Sequence, residues 1–135
     1  MAITSVKELV DRANEQVDVW PAAKAITEQA EERAVLVDIR DVRELDREGR
    51  VNGAIHAPRG MLEFWFDPSS PYHRELFANS HTTYVLFCAA GWRSALAAKA
   101  LEDMGFDNIA HIDGGFGALK EAGALINAEA KPAKL

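Results

Sequence analysis

The strongest candidate for chemistry in this sequence is Cys88, the only cysteine among 135 residues. It follows the apolar run Thr83–Phe87 and opens a loop that continues with Ala89, Ala90, Gly91, Trp92, Arg93 and Ser94. Small residues and a glycine allow such a loop to curl, so that several backbone N–H groups point to one place and bind an anion. The start of the next helix and the Arg93 guanidinium add positive charge. These surroundings favour the thiolate, which is the nucleophilic form of cysteine.

A lone cysteine has two interpretations. The simpler one is a buried apolar residue at a strand end, because free cysteine is among the most buried residue types. The glycine, the arginine and the helix start that follow Cys88 favour the other one, a reactive thiol that carries a substrate group covalently. A single cysteine also excludes an internal disulfide and a cysteine-rich metal cluster. Since His73, His81 and His111 show no ligand-like spacing, we expect neither a metal site nor a cofactor.

Charged residues near the predicted strand ends are weaker candidates. Asp38 and Arg40 end the strand before the first crossover. Either they orient the reactive loop through an ion pair and so support the site, or they simply cap the strand and face solvent. Of these two alternatives we favour the structural role. Glu44 is predicted to pair with a nearby arginine rather than to act as a general base. His56 is predicted to be a hydrogen-bonded structural histidine.

Further residues are candidates for the walls of the site. Trp92 is expected at the exposed tip of the loop, where it either forms one wall of a substrate pocket or packs against the segment Phe64–Phe66. Arg59 and Glu63 are candidates to line the mouth. Both belong to the stretch Arg59–Ser80, which we predict to be a loop with one or two helical turns.

The elements that must position these residues alternate between strand and helix. The predicted strands are Val17–Val19, Val35–Ile39, Ala54–His56, Tyr84–Phe87 and Ile109–Ile112, and the main predicted helices are Ala22–Arg33, Asp41–Glu48, Ser94–Met104 and Phe116–Ala122. This order predicts an α/β fold, with a central, mostly parallel sheet of about five strands and helices on both faces. Sites in such sheets lie beyond the carboxyl ends of the strands. Cys88 follows such an end.

Length and composition indicate one globular domain. We assign it to residues 17–123, after an N-terminal helical extension (1–16) that Ser5 caps, and before a loosely docked C-terminal tail (124–135). Fifteen basic and 21 acidic residues give a net charge of -6, and no basic run suggests binding to nucleic acid or to a membrane. The N-terminus has no apolar segment of the kind that a secretory signal needs, so we expect a cytoplasmic protein.

Four motifs in this order resemble the rhodanese-like domain family. They are Asp38-Ile39-Arg40, the run Gly49–Ala54, Cys88-x-x-Gly91-x-Arg93-Ser94 and Asp113-Gly114-Gly115-Phe116. The resemblance covers about Val17 to Gly123. It implies a three-layer sandwich, similar in fold to the cell-cycle phosphatases, whose cysteine takes sulfane sulfur from a donor such as thiosulfate and passes it to a thiol or cyanide acceptor. By this resemblance Cys88 carries the persulfide, residues 89–94 cradle it, and Arg93 binds the anion. We expect a monomer or a weak homodimer.

Two other functions remain open at this point. A thiolate in an anion-binding loop also attacks phosphorus, as in the cysteine-dependent phosphatases, but their loop has one more residue between cysteine and arginine than the loop of this chain. The second is a non-catalytic sulfur carrier or a redox-sensing module. A sensor often has a resolving cysteine nearby, and this chain has no second cysteine.

Overall fold

The computed structural model describes residues 2–127 and is built around a sheet of five parallel strands. The strands are β1 (Asp18–Trp20), β2 (Ala34–Asp38), β3 (Arg50–Val51), β4 (Ile55–His56), β5 (Thr83–Phe87), β6 (Ile109–Ile112) and β7 (Ile126–Asn127). The central sheet has the order β1-β6-β5-β2-β4, and β3 pairs separately with β7. All five predicted strands and their parallel arrangement are thus confirmed.

Helices cover both faces of this sheet. They are α1 (Val6–Gln16), α2 (Ala22–Ala30), α3 (Val42–Glu48), α4 (Leu62–Phe66), α5 (Trp92–Asp103) and α6 (Gly115–Glu121), with 3₁₀ turns at Arg59–Met61 and Glu75–Phe77. Side chains of β5 alternate between the two layers. Leu86 and Cys88 pack in the cluster that includes residues of α4 and α5, whereas Val85 and Phe87 pack in the cluster that includes residues of α2 and α6. This alternation directs the Cys88 side chain towards α5.

Two of the four main predicted helices differ from the prediction by more than one residue at an end. Helix α2 ends at Ala30 rather than Arg33, because Glu32 adopts a left-handed backbone (φ 59°) that a right-handed helix cannot contain. Helix α5 begins at Trp92 rather than Ser94, after Gly91 in a left-handed conformation (φ 113°). The left-handed glycine turns the chain directly from the strand end into the helix. The reactive loop is therefore two residues shorter than the sequence suggested.

The Arg59–Ser80 stretch is held by buried aromatic side chains. It contains two 3₁₀ turns and α4, in agreement with the predicted loop with helical turns. Phe66 and Phe77 are almost fully buried and stack with their ring centroids 4.4 Å apart. Phe66 also meets Tyr84 of β5 edge to face at 5.3 Å. Burial of each such ring contributes about 1.5–3 kcal/mol and anchors the segment to the core.

The expectation of a loosely docked C-terminal tail is wrong for residues 124–127. Strand β7 pairs antiparallel with β3, and the Asn52 N–H donates to the carbonyl of Leu125 over 2.8 Å. The short strand β3 would otherwise present unpaired backbone groups, and β7 satisfies them. Residues 128–135 of the predicted tail lie outside the described residues. Among residues 2–127, every helix is too short or too polar to cross a membrane.

The predicted N-terminal extension contains helix α1, which packs on α5. The Ser5 hydroxyl accepts a hydrogen bond from the Glu8 N–H (3.1 Å) and starts the helix as predicted. Val10 and Ala13 are buried in one cluster with Ala95 of α5. The extension is therefore attached to the helix that follows Cys88.

Candidate active site

Cys88 lies at the carboxyl end of β5, with only 1% of its surface exposed. The N–H of Gly91 donates to its sulfur over 3.2 Å, so the chain curls back on the thiol as the glycine predicted. Helix α5 starts at the next residue, and the N–H groups of its first turn have no carbonyl partners within the helix. Ala89 is half-buried and Ala90 exposed at the outer rim. The loop thus directs the Gly91 N–H at the sulfur and places the start of α5 next to it, an arrangement that can stabilise negative charge there.

The beginning of α6 holds the other side of this loop. The Phe116 N–H donates to the carbonyl of Cys88 (2.8 Å), and the Gly117 N–H to that of Ala89 (3.4 Å). This contact requires a glycine at position 115, where φ is 57° and where a β-carbon would lie 2.3 Å from the Cys88 carbonyl oxygen. The Gly114-Gly115 pair was predicted to form a turn with positive φ, and its close approach to the reactive loop explains the requirement.

Gly115→Ala should therefore lower the free energy of unfolding by about 2 kcal/mol or more, through backbone strain and the clash with the loop. Gly117→Ala is the matched control: it lies in the same helix, has nothing within 4 Å of its β-carbon position, and should be neutral or stabilising by up to about 1 kcal/mol. Urea unfolding of both variants measures the difference. Equal stabilities would contradict the close contact between α6 and the loop.

Arg93 is fixed by Glu44 of α3. Its Nη1 lies 2.7 Å from Glu44 Oε1 and its Nη2 3.0 Å from Oε2, a bidentate pair. These hydrogen bonds raise the pKa of Arg93, and the nearby Cys88 raises it further. The same ion pair lowers the pKa of Glu44. Both groups are thus charged at neutral pH. The prediction that Glu44 pairs with an arginine is confirmed, and the pair holds the guanidinium that was expected to bind an anion.

Asp38 and Arg40 form a buried ion pair beneath the loop. Their side chains are 3% and 0% exposed, and Arg40 Nη2 lies 2.8 Å from Asp38 Oδ2 and 2.9 Å from the carbonyl of Gly49. The Arg40 guanidinium also stacks over the Phe116 ring at 4.1 Å. Because Phe116 is the residue that donates to Cys88, the pair supports the reactive loop. The alternative that these residues cap the strand and face solvent is wrong.

The structure adds two residues to the site, His111 and Asn14. Ser94 is fully buried and its hydroxyl lies 3.6 Å from Cys88 Sγ and 2.9 Å from His111 Nδ1. The His111 Nε2 lies 2.7 Å from Asn14 Oδ1. In the sequence His111 was considered only as a metal ligand. Its place at the end of a strand predicted to lie parallel to that of Cys88 is the signal that could have brought it to attention.

Burial of His111 makes the stability of the protein depend on pH. Burial lowers the pKa of His111 to about 4 from 6.5, against a smaller opposite effect of Asp113. The unfolded chain therefore binds a proton at pH values where the folded chain does not. Above pH 6.5 His111 is neutral in both states, and the free energy of unfolding is not reduced by it. As the pH falls from 6.5 towards 4, protonation of the unfolded chain lowers the free energy of unfolding by about 3 kcal/mol in total. His111→Gln should remove this loss, as measured by urea unfolding across that pH range. Parallel profiles of the two proteins would contradict the assignment.

The remaining predicted residues lie as follows. His56 Nε2 is 2.7 Å from the carbonyl oxygen of Arg40, which confirms the predicted hydrogen bond of this histidine. Trp92 is 50% exposed, as expected for the tip of the loop, and its role as a wall of a substrate pocket stays a prediction. Arg59 and Glu63 pair with each other over 2.8 Å, and their place at the mouth stays a prediction.

Comparisons with known proteins agree with this geometry. The sequence profile of the Rhodanese-like domain matches residues 21–122. A solved protein of unknown function from Rhodopseudomonas palustris, described as a possible tyrosine phosphatase, is 43% identical with a TM-score of 0.87, over 94% of this chain and 97% of that one. No curated protein matches the chain significantly.

Two further solved structures share the fold. A rhodanese-related protein from Thermoplasma volcanium is 24% identical, with a TM-score of 0.65 over 83% of this chain and 99% of that one. A thiosulfate sulfurtransferase from Pseudomonas aeruginosa is 22% identical, with a TM-score of 0.73 over 88% of this chain and 21% of that one. At these identities the likeness concerns the fold alone.

Proposed function

This chain belongs to the rhodanese-like domain family, and from that premise we propose that it is a sulfurtransferase that carries sulfane sulfur as a persulfide on Cys88. The observation that carries the proposal is the surroundings of the Cys88 sulfur. A backbone N–H donates to it, and Arg93 stands beside it in a fixed ion pair. A nucleophile held in this way can attack an anionic sulfur donor and stabilise the charge that remains after the transfer.

Each half of the reaction is a displacement at sulfur. The Cys88 thiolate attacks the outer sulfur of thiosulfate, the bond between the two sulfur atoms breaks, and sulfite leaves with the electron pair of that bond. The product is a persulfide anion on Cys88. Cyanide or a thiolate acceptor then attacks the terminal sulfur, the persulfide bond breaks, and the Cys88 thiolate is restored. Backbone donors of the loop and the Arg93 charge face the negative charge in both halves.

A cysteine-dependent phosphatase is the second candidate, because a relative 43% identical to this chain is described as a possible tyrosine phosphatase. Loop length argues against it. Four residues separate Cys88 from Arg93, one fewer than in the phosphatases, and α5 begins at Trp92 without an intervening turn. A shorter loop encloses a smaller space, which suits a single sulfur atom better than a tetrahedral phosphate.

The test is the intact mass of the protein after incubation with thiosulfate. We expect a gain of one sulfur atom, its loss after addition of cyanide, and only slow cleavage of a small aryl phosphate by the same preparation. Rapid phosphate release without a sulfur adduct from any sulfane donor would replace the proposal with the phosphatase.

Glu44→Gln should weaken the use of anionic donors. The variant removes the charge that holds the Arg93 guanidinium, so the KM for thiosulfate should rise by roughly tenfold while kcat changes less. Glu28→Gln is the matched control, since Glu28 pairs in the same way with Arg33 over 2.6 Å but takes no part in the loop. An unchanged KM in Glu44→Gln would show that the ion pair does not position Arg93 for the donor.

A further inference from the structure

A row of four polar side chains connects the reactive thiol with the surface. It runs from Cys88 through Ser94 and His111 to Asn14, with heavy-atom distances of 3.6, 2.9 and 2.7 Å. The first three residues are at most 2% exposed, whereas Asn14 lies on the exposed part of α1. Buried polar groups are costly unless they are hydrogen-bonded, and here each one has its partner within the row.

The direction of each hydrogen bond follows from the end of the row. Asn14 Oδ1 can only accept, so the proton of the neutral imidazole is on Nε2 of His111. Nδ1 is then left as an acceptor, and the Ser94 hydroxyl donates to it. The Gly91 carbonyl oxygen also lies 3.3 Å from Ser94 Oγ, but the shorter 2.9 Å contact with Nδ1 takes the single hydroxyl proton. The Ser94 oxygen then has only lone pairs left for the sulfur. The Cys88 S–H accordingly donates to Ser94, so the resting row holds a thiol.

Formation of a thiolate would place negative charge against the lone pairs of the Ser94 oxygen, unless the hydrogen bonds of the row reverse their direction. A relay achieves this: the S–H bond of Cys88 breaks and its proton bonds to Ser94 Oγ, while the Ser94 O–H bond breaks and its proton bonds to the Nδ1 lone pair. The products are a thiolate and an imidazolium, with no other reactant. Ser94 then donates to the sulfur, and both ring nitrogens of His111 donate, so no hydrogen bond is lost.

We propose that His111 is a positioning residue which, through the Ser94 hydroxyl, takes up the Cys88 proton when the thiol becomes a nucleophile, with Asn14 fixing the orientation of the imidazole. The arrangement has the order of a cysteine–histidine–asparagine triad with a hydroxyl inserted after the cysteine. Asn14 precedes residues 21–122, which the family profile matches. The relay therefore depends on a helix outside the matched domain.

The surroundings of His111 suit a neutral acceptor. The strands on either side place Val19 and Leu86 opposite it, and α5 and α1 contribute Ser94 and Asn14. Asp113, the residue directly after β6, is the charged group that acts on the imidazole, and burial outweighs it. His111 is thus neutral at physiological pH and its Nδ1 lone pair is free of a proton. Because burial disfavours the imidazolium, the ring takes up the proton only as the thiolate forms close to it, and the negative charge on sulfur offsets the positive charge of the ring.

Alkylation by iodoacetamide tests the relay, since Cys88 is the only thiol and the reagent is neutral. The rate is followed by intact mass over a range of pH. Asn14→Asp replaces the amide with a carboxylate that stabilises the imidazolium, and it should speed alkylation at neutral pH by about threefold or more. Asn14→Leu should slow it. If His111 had a structural role alone, Asn14→Asp would not accelerate alkylation. An alkylation rate of the Asn14→Asp variant at or below that of wild type therefore overturns the proposal.

Variants of the two buried residues, His111 and Ser94, provide a second part of the alkylation test. His111→Phe and Ser94→Ala should each slow alkylation at neutral pH by about tenfold and move the rate profile to higher pH. Because the two residues act as one unit, the double variant should be no slower than either single one, and multiplication of the two effects would reject the relay. His81→Phe, on the exposed surface, is the control and should react like wild type. If His111→Phe does not fold, the two Asn14 variants on the surface still decide.

This inference rests on the nucleophilic role proposed for Cys88, but alkylation needs no sulfur donor. A protein that shows the expected alkylation differences and forms no persulfide retains the relay and loses the sulfurtransferase proposal. A protein that forms the persulfide and shows none of these differences retains sulfur transfer and loses the relay.

Discussion

Cys88→Ser should abolish the transfer of sulfur from thiosulfate to cyanide, leaving only the uncatalysed background. Sulfur must reside covalently on this side chain between the two half-reactions, and the chain has no second cysteine to replace it. The hydroxyl of serine is a far weaker nucleophile towards sulfur than a thiolate. Thiocyanate formation and intact mass after incubation with thiosulfate measure the two halves, and both should be lost together.

The substitution exchanges one small buried side chain for another of nearly the same shape, so the fold should persist. Unfolding in urea should differ by no more than about 1–2 kcal/mol from wild type, which separates loss of chemistry from loss of structure. Thiocyanate formation by the folded variant at more than background rate would mean that sulfur does not pass through Cys88. In that case the persulfide proposal would be wrong, whatever the wild-type activity.

The reactive loop could be predicted from the sequence because its parts are contiguous. A buried strand, a cysteine, a glycine and an arginine within a few positions determine where the thiol lies and what surrounds it. The position of Cys88 and the curling of the chain at Gly91 therefore followed directly, whereas the early start of α5 at Trp92 did not. Contacts with residues on distant elements were harder to predict. Glu44 was expected to meet an arginine, but only the packing of α3 against the loop shows that this arginine is Arg93.

The row through His111 could not be predicted, because Asn14 and His111 are 97 positions apart in the chain. No periodicity connects Asn14 of α1 with His111 of β6. They meet because α1 packs on α5 and β6 lies beside β5. The β3–β7 pair escaped prediction for a similar reason. Two-residue strands are too short to show an alternating pattern, so only their pairing defines them.

The complete burial of Arg40 is the feature least expected from the sequence, since arginine is almost never fully buried unless it is paired. Its charge is offset by Asp38, while Nη1 has no hydrogen-bond partner and lies 3.6 Å from Glu48. The pair therefore depends on Asp38 for most of its compensation. A buried ion pair adds little net stability, because the cost of desolvating both charges offsets their attraction. Removal of one member is nevertheless costly, since it leaves an uncompensated charge in the interior.

Asp38→Asn should consequently lower the free energy of unfolding by about 3–5 kcal/mol, although the side chain keeps its size. Asp103→Asn is the matched control. Asp103 pairs with Lys99 on the surface of α5 and is 63% exposed, so its substitution should cost about 0.5 kcal/mol or less. The destabilised variant should also lose sulfur transfer before it unfolds, because Arg40 stacks on Phe116, which holds the carbonyl of Cys88. A cost below about 1 kcal/mol for Asp38→Asn would mean that the Arg40 charge is compensated elsewhere, and the support of the loop by this pair would have to be abandoned.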